Sequence, residues 1–328
     1  MFNNKPYLIA EIGSNHDGYL KRGYKTIISA KKSGANAVKF QSWDTTLYND
    51  SYWEKNKKDF LASKKVSADF SFLKKMNFFS KKNKIDFSST PFNEKQLKEL
   101  ITLNPSFIKI ASMDIDNLEF IDMCAKLKHI VLISTGTANL KEIKEAEKIF
   151  IKRKKKNVIF MHCVSLYPPK ENELNLHKIK ILQDELRYEV GFSDHSLGNF
   201  ASVVAMSMGV RVIEKHFTIN KNLKGYDHSF AADKKDFEEI VSNQKKILSM
   251  IGSNKIQNDR EQNSKKAMRR SAFSNKILLK NNKILRSDIS FQRPGDGLGF
   301  KEMNNIIGKK LKVKIEKNTK IKKNFFIL

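Results

Sequence analysis

His195 and His216 each close a short β-type run, "YEVGFSDHS" at 188–196 and "VIEKHFT" at 212–218. One strand ending in Ser193, Asp194 and His195 reads as a run out into solvent, but a second ending in Glu214, Lys215 and His216 asks whether the strands end that way for a purpose. Neighbouring strands lie about 4.8 Å apart, so two imidazoles at their ends can face one divalent ion at N–metal distances of about 2.1 Å. Two such ligands leave positions open for water and a substrate oxygen, as a catalytic site requires. The plainer alternative is that each imidazole only hydrogen-bonds a neighbour. A second group, Lys39, Lys109, Ser134 and Ser193, sets cations and hydroxyls on separate strands and suits an anion with several oxygens. Ser134 leads into "TGTANLKE", a glycine-containing turn at a helix start, where backbone N–H groups favour phosphate. The rival chemistry is a metal-free aldolase with Lys109 as Schiff-base nucleophile; a chelator or borohydride separates the two.

These residues need a scaffold that brings strand ends together. Eight β-type runs are legible: 7–12, 36–41, 85–90, 107–112, 130–135, 157–163, 189–194 and 210–217. Amphipathic segments lie between them, one opened by Asn139 and Glu142 at capping-box spacing. Repeated β-then-α units with short loops predict a parallel (β/α)8 TIM barrel in the α/β class, whose site forms at the C-terminal strand ends. Glu11, Gln41, Ser112, Ser165, Tyr167 and His162 fall at or just after such ends, as do Asp194 and Lys215. The long connection 43–84, a polar loop and then "FSFLKKMNFFSKK", is a candidate lid. The barrel is assigned to 1–251 and a polar linker to 252–267. A small β-rich module follows at 268–328, with runs "FSNKILL", "DISFQR", "KVKIEK" and "FFIL" around the turn "RPGDG".

Composition bounds the function. The chain of 328 residues is 40% hydrophobic, in runs too short for a membrane helix, and Glu11 interrupts "YLIA" too soon for a signal peptide, so a soluble cytoplasmic protein is expected, with no membrane partner. Cys124 and Cys163 form no C-x-x-C pattern and are expected in the core. The net charge of +27 would suit a nucleic-acid binder, but the lysines mix with glutamates on outer helix faces and no nucleic-acid motif occurs. No nucleic-acid partner is expected, and a non-catalytic sugar-binding protein stands as the other non-enzyme alternative.

The motifs "IAEIGSNHDG", "AVKFQ", "STPF", "IKIAS", "ISTGTA", "HCVSLYP", "GFSDHSLG" and "IEKHFT", followed by "FQRPGDG", resemble in this order the sialic acid synthase family, including the legionaminic and pseudaminic acid synthases. The resemblance spans essentially the whole chain. It implies a barrel joined to a C-terminal antifreeze-like (SAF) domain. It also implies condensation of phosphoenolpyruvate with an N-acylated amino sugar, N-acetylmannosamine or a 2,4-diacetamido hexose, to give a nonulosonic acid and phosphate. Carried over by residue, it gives the metal to His195 and His216 and the phosphoenolpyruvate to Lys39, Lys109, Ser112, Ser134 and Ser193. Glu11, Glu214 and Tyr167 become the catalytic set, with Glu11 first and Glu214 second as the carboxylate that helps water add. Gln41, Asp114, Ser165, Asp227 and Arg293 become the sugar contacts. Mn²⁺ is the first choice of metal, with Mg²⁺ and Co²⁺ compatible with the same ligands. Two positions depart from the family pattern: Ser165, where "HCTN" versions carry Asn, and Asp114, where Glu is frequent. The implied assembly is a domain-swapped homodimer in which Arg293 meets the N-acyl group in the partner's barrel.

Overall fold

The structure is a computed structural model that describes residues 5–252 and 259–327. The chain divides into two compact units, Met1–Ile251 and Gly252–Leu328. In the first, eight strands follow in chain order: β1 Tyr7–Gly13, β2 Ala37–Gln41, β3 Asp86–Thr90, β4 Phe107–Ile110, β5 Ile130–Ser134, β6 Val158–Cys163, β7 Glu189–Asp194 and β8 Val212–His216. They pair in parallel in the order β3-β2-β1-β8-β7-β6-β5-β4. The ring closes between β3 and β4, where Ser106 N–H donates to Phe87 O at 2.9 Å and the Ser88 hydroxyl to Phe107 O at 2.5 Å. Each expected strand is present, with ends that differ from the expectation by at most two residues.

Period-2 alternation decides what faces the barrel interior. Ile9, Ala37, Phe107, Leu132, Met161 and Val212 fill its lower layers, while Leu8, Val38, Ile108, Val131, Phe160 and Ile213 point outward into the layer beneath the helices. Strands covered on both faces tolerate such continuous apolar runs. The helices start on local chemistry. At Leu140–Lys152, Asn139 Oδ1 accepts from Glu142 N at 3.1 Å while Glu142 Oε2 accepts from Asn139 N at 2.8 Å, the expected capping box.

Two expectations change in detail. The polar part of 43–84 is not a loop but a 3-10 turn and two helices, Asp50–Lys55 and Lys57–Val66, before the expected helix Phe70–Lys82. Asn49 Oδ1 caps the first of these by accepting from Tyr52 N at 2.8 Å. Of the expected linker, residues 253–258 lie outside the described residues, and residues 259–267 enter the helix Asp259–Met268, which buries no residue. Its Arg, Glu, Gln, Lys and Ala favour helix without supplying an apolar face.

In the second unit β9, Ser271–Ser274, pairs antiparallel with β10, Ile289–Gln292. The runs "KVKIEK" and "FFIL" contribute single bridges instead of strands, Leu278↔Ile315 and Leu311↔Phe326, because turns break them before a ladder can extend; Leu328 lies outside the described residues. Ala272, Ile284, Leu311, Ile315 and Phe326 form the core of this unit.

Candidate active site

Strand register sets the inward side chains of the upper layer level with one another. Glu11 stands opposite Lys39 on one side and His216 on the other, and Ser193 stands opposite Glu214. Above them opens a cavity of about 350 Å³. Glu11, Lys39, Gln41, Lys109, Glu214 and Ser193 line its floor. Ser112, Ser134, Ser165, Tyr167, His195 and His216 line its walls, so twelve of the fifteen expected site residues meet there. Gly136 lets the loop after β5 approach closely: a Cβ there would stand 2.7 Å from Ser112 Oγ and 2.9 Å from Cys163 Sγ, and would also strike Ser165 Oγ.

The floor is a buried network of two lysines and two carboxylates. Lys109 Nζ lies 2.8 Å from Glu214 Oε1, and Lys39 Nζ lies 2.6 Å from Glu11 Oε2, 3.8 Å from Glu214 Oε2 and 2.8 Å from Thr90 Oγ1. Ser193 Oγ donates to Glu214 Oε1 at 3.0 Å. Burial alone would raise Glu214, but the charges of Lys109 and Lys39 and hydrogen bonds from Lys109 and Ser193 hold it at about 2. Glu11 behaves oppositely: burial, with repulsion from Glu214, outweighs Lys39 and pushes it up to about 7. Lys109 is raised, because Glu214 overcomes the burial that would lower it. A lysine held as a cation is a poor Schiff-base nucleophile, so this floor favours the anion-binding reading over the aldolase.

The two histidines sit side by side with ring centroids 5.5 Å apart. His195 is lowered to about 4, by burial first and then by His216, so its ring is neutral near pH 7. The neutral ring shares its one proton between Nδ1, 2.8 Å from Val164 O, and Nε2. Donation to that carbonyl turns the Nε2 lone pair to the site, 3.3 Å from Ser193 Oγ. His216 is also lowered by burial, and its buried Nδ1 makes no hydrogen bond, with Asp227 Oδ2 3.5 Å away. Two neutral imidazoles whose lone pairs face the site fit one side of a divalent ion, although no group of three or more His, Cys, Asp or Glu is placed to hold one among the described residues.

Three expected residues lie outside this lining. Asp227 lines an adjoining cavity and accepts from Ser14 Oγ at 2.7 Å. Asp114 lines neither cavity; burial, then Asp116, raises it to about 6. Arg293 belongs to the second unit, where its Nε donates to Met268 O at 3.1 Å. Strand parity also turns three strand-end residues away from the mouth. Asp194 and Lys215 pair at 2.9 Å in the outer layer, and His162 Nε2 meets Leu174 O at 2.9 Å. Sequence reasoning left two features without a role: Thr90, the partner of Lys39, and the aromatic residues of 43–53, whose density in "WDTTLYNDSYW" was the available signal.

Residues 26–256 match the NeuB family. The chain belongs to that family. It is 32% identical to the N,N'-diacetyllegionaminic acid synthase of Campylobacter jejuni, across 93% of this chain and 95% of that protein. It is 30% identical to a pseudaminic acid synthase of the same species, across 99% and 97%. The crystal structure of N-acetylneuraminic acid synthetase from Leptospira borgpetersenii, in complex with citrate, shares its fold with a TM-score of 0.74 at 33% identity, covering 80% of this chain and 91% of that one. The NeuB-family chain is therefore an enzyme that condenses phosphoenolpyruvate with an N-acyl amino sugar to form a nonulosonic acid. The expected barrel and antifreeze-like domain are borne out with it, and family membership implies dependence on a divalent metal. Among the described residues no helix is long and apolar enough to cross a membrane.

Proposed function

We propose that the floor of the barrel mouth holds phosphoenolpyruvate and that the acceptor's aldehyde meets it beneath His195 and His216. The observation that carries this reading is the pair of buried lysines, Lys39 and Lys109, tied to carboxylates of unlike basicity. Glu214, ionised, fixes Lys109, while Glu11 and Thr90 hold Lys39. Together with Ser112, Ser134 and Ser193 the two lysines hold the phosphate and carboxylate of the substrate. His195 and His216 would hold the divalent ion, Mn²⁺ for preference, which when bound supplies polarisation of the aldehyde oxygen. C3 of phosphoenolpyruvate forms the new bond to the carbonyl carbon as the C2–C3 and C=O π bonds open, which leaves an alkoxide on the former aldehyde and positive charge at C2. Glu11 takes a proton from the water that adds there and passes it to that alkoxide, and the C2 hydroxyl gives its proton to the departing phosphate as the C2–O bond breaks. The lysines stabilise the departing anion. Gln41, whose amide donates to Glu11 Oε1 at 3.1 Å, orients that carboxylate, and Tyr167, Ser165 and Asp227 face the sugar.

A base raised to about 7 has a visible pH signature. Glu11 must be ionised to accept a proton, so kcat/KM is expected to rise with pH and level off above about 7. Glu11→Gln is expected to lower it by roughly 10²–10⁴-fold and to remove that inflection. An unchanged inflection in the variant moves the base elsewhere.

We further propose a cytoplasmic homodimer in which Arg293 reaches the N-acyl group in the partner's barrel. Support comes from "FQRPGDG", from the rigid donor fork that arginine offers an amide oxygen, and from the free, buried Cys124 and Cys163. Mixing inactive His216→Ala with inactive Arg293→Ala chains and allowing exchange is expected to restore about a quarter of all sites. No recovery after verified exchange contradicts the swapped arrangement.

A further inference from the structure

Asp194 and Lys215 face away from the barrel mouth, yet each directly precedes one of its two histidines in the chain. They stand opposite each other in the register of β7 and β8 and pair at 2.9 Å in the layer beneath the helices. Asp194 is 1% exposed and Lys215 2%. Elsewhere that layer is filled by apolar side chains such as Phe160 and Ile213. Taking two charges out of water costs free energy that an apolar pair of the same volume avoids, so stability alone does not account for this pair.

Its hydrogen bonds point to another use. The paired register of β7 and β8 stops at Asp194 and Lys215, one residue short of His195. Beyond it the backbone is held by the pair itself. Asp194 Oδ1 accepts from the Ser196 N–H at 2.9 Å and from the Ser196 hydroxyl at 2.6 Å, and Lys215 Nζ donates to Ser196 O at 2.9 Å. His195 is thus flanked on both sides by residues of one buried network. Asp194 Oδ2 also accepts from the hydroxyl of Ser202, on the helix Phe200–Ser207, at 2.6 Å. The network sets where the His195 backbone lies, and Val164 O, 2.8 Å from Nδ1, sets how the ring is turned.

We propose that Asp194 and Lys215 are positioning residues of the metal centre: their pair holds the His195 backbone against β8, so that its Nε2 and the ring of His216 reach one divalent ion together. The inference rests on the reading above that these two histidines hold the ion. Ser193 and Glu214, in the floor, are aligned by the strand register itself. Loss of the pair should therefore reach the ion and spare phosphoenolpyruvate.

The double variant Asp194→Asn with Lys215→Met removes both charges together at similar volume, a change that buried pairs tolerate far better than loss of one partner. Calorimetric titration with Mn²⁺ is expected to show binding weaker by at least about tenfold, the range in which groups that orient metal ligands act. Titration with phosphoenolpyruvate under chelation is expected to change by less than about twofold, and thermal melting to stay near that of the wild type. Ser196→Ala leaves the charges paired and removes one hydroxyl contact, so it is expected to weaken Mn²⁺ by about threefold. Unchanged Mn²⁺ binding in the double variant overturns the proposal, as does an equal loss of Mn²⁺ and phosphoenolpyruvate binding, which marks general damage to the barrel. If the double variant does not fold, Ser196→Ala decides: weakened Mn²⁺ binding upholds the proposal and unchanged binding overturns it. His216→Ala is titrated alongside. Mn²⁺ lost in His216→Ala but kept in the double variant overturns the pair's role alone; Mn²⁺ absent from the wild type, or kept in His216→Ala, overturns the two-histidine centre and the pair's role with it.

Discussion

Lys109→Met is expected to lose roughly 10²–10³-fold in kcat/KM for phosphoenolpyruvate, the usual effect of removing one preorganised group from a developing anion. Lys109 is buried and lies 2.8 Å from Glu214 Oε1, so the substitution does two things at once. It removes a cation from the proposed phosphate site. It also leaves Glu214 with Ser193 at 3.0 Å and Lys39 at 3.8 Å, a partly unpaired carboxylate in a buried layer. Breaking a buried pair by taking one partner away costs about 3–5 kcal/mol, and that alone could unfold the barrel. The double variant Lys109→Met with Glu214→Gln separates the effects, because it removes both charges together. It is expected to recover thermal stability without recovering phosphoenolpyruvate binding. Recovery of both would make the lysine structural, and trapping of Lys109 by borohydride in the presence of substrate would revive the aldolase.

His195→Ala and His216→Ala are each expected to lose metal-stimulated turnover by at least about 10³-fold, since a metal acting as a Lewis acid supplies several kcal/mol. Both rings are neutral and buried, at the top of β8 and just beyond β7, where side chains serve the site more than the core. The barrel should stay folded, as circular dichroism and thermal melting will report. Calorimetric titration with Mn²⁺ should show binding to the wild type and little to either variant. Undiminished metal stimulation in either variant contradicts the assignment.

The barrel was legible because alternation and strand length carry it. Runs such as "NVIFMHC" and "IVLIST" are too short for helices and too apolar for loops. The site's chemistry was legible because a polar group at the end of an apolar run costs free energy unless something uses it. Two things were not legible. The pairing of Lys109 with Glu214 joins β4 to β8, residues 105 positions apart, and depends on how the ring closes. The helices Asp50–Lys55 and Lys57–Val66 lack an apolar stripe, since Lys, Asn, Asp and Ser surround their aromatic residues, and the sequence reads there as a polar loop. Asp194 and Lys215 could have been placed from parity alone, because each lies one residue from an inward-facing neighbour.

The central claim is that this mouth joins phosphoenolpyruvate to a sugar aldehyde and releases its phosphate. The direct test measures inorganic phosphate from phosphoenolpyruvate, with each sugar added in turn, after chelation and again after Mn²⁺ is restored. The account predicts release that requires both a sugar and the metal, matched mole for mole by a nonulosonic acid. No release with any N-acyl amino sugar, or equal release without one, would contradict it.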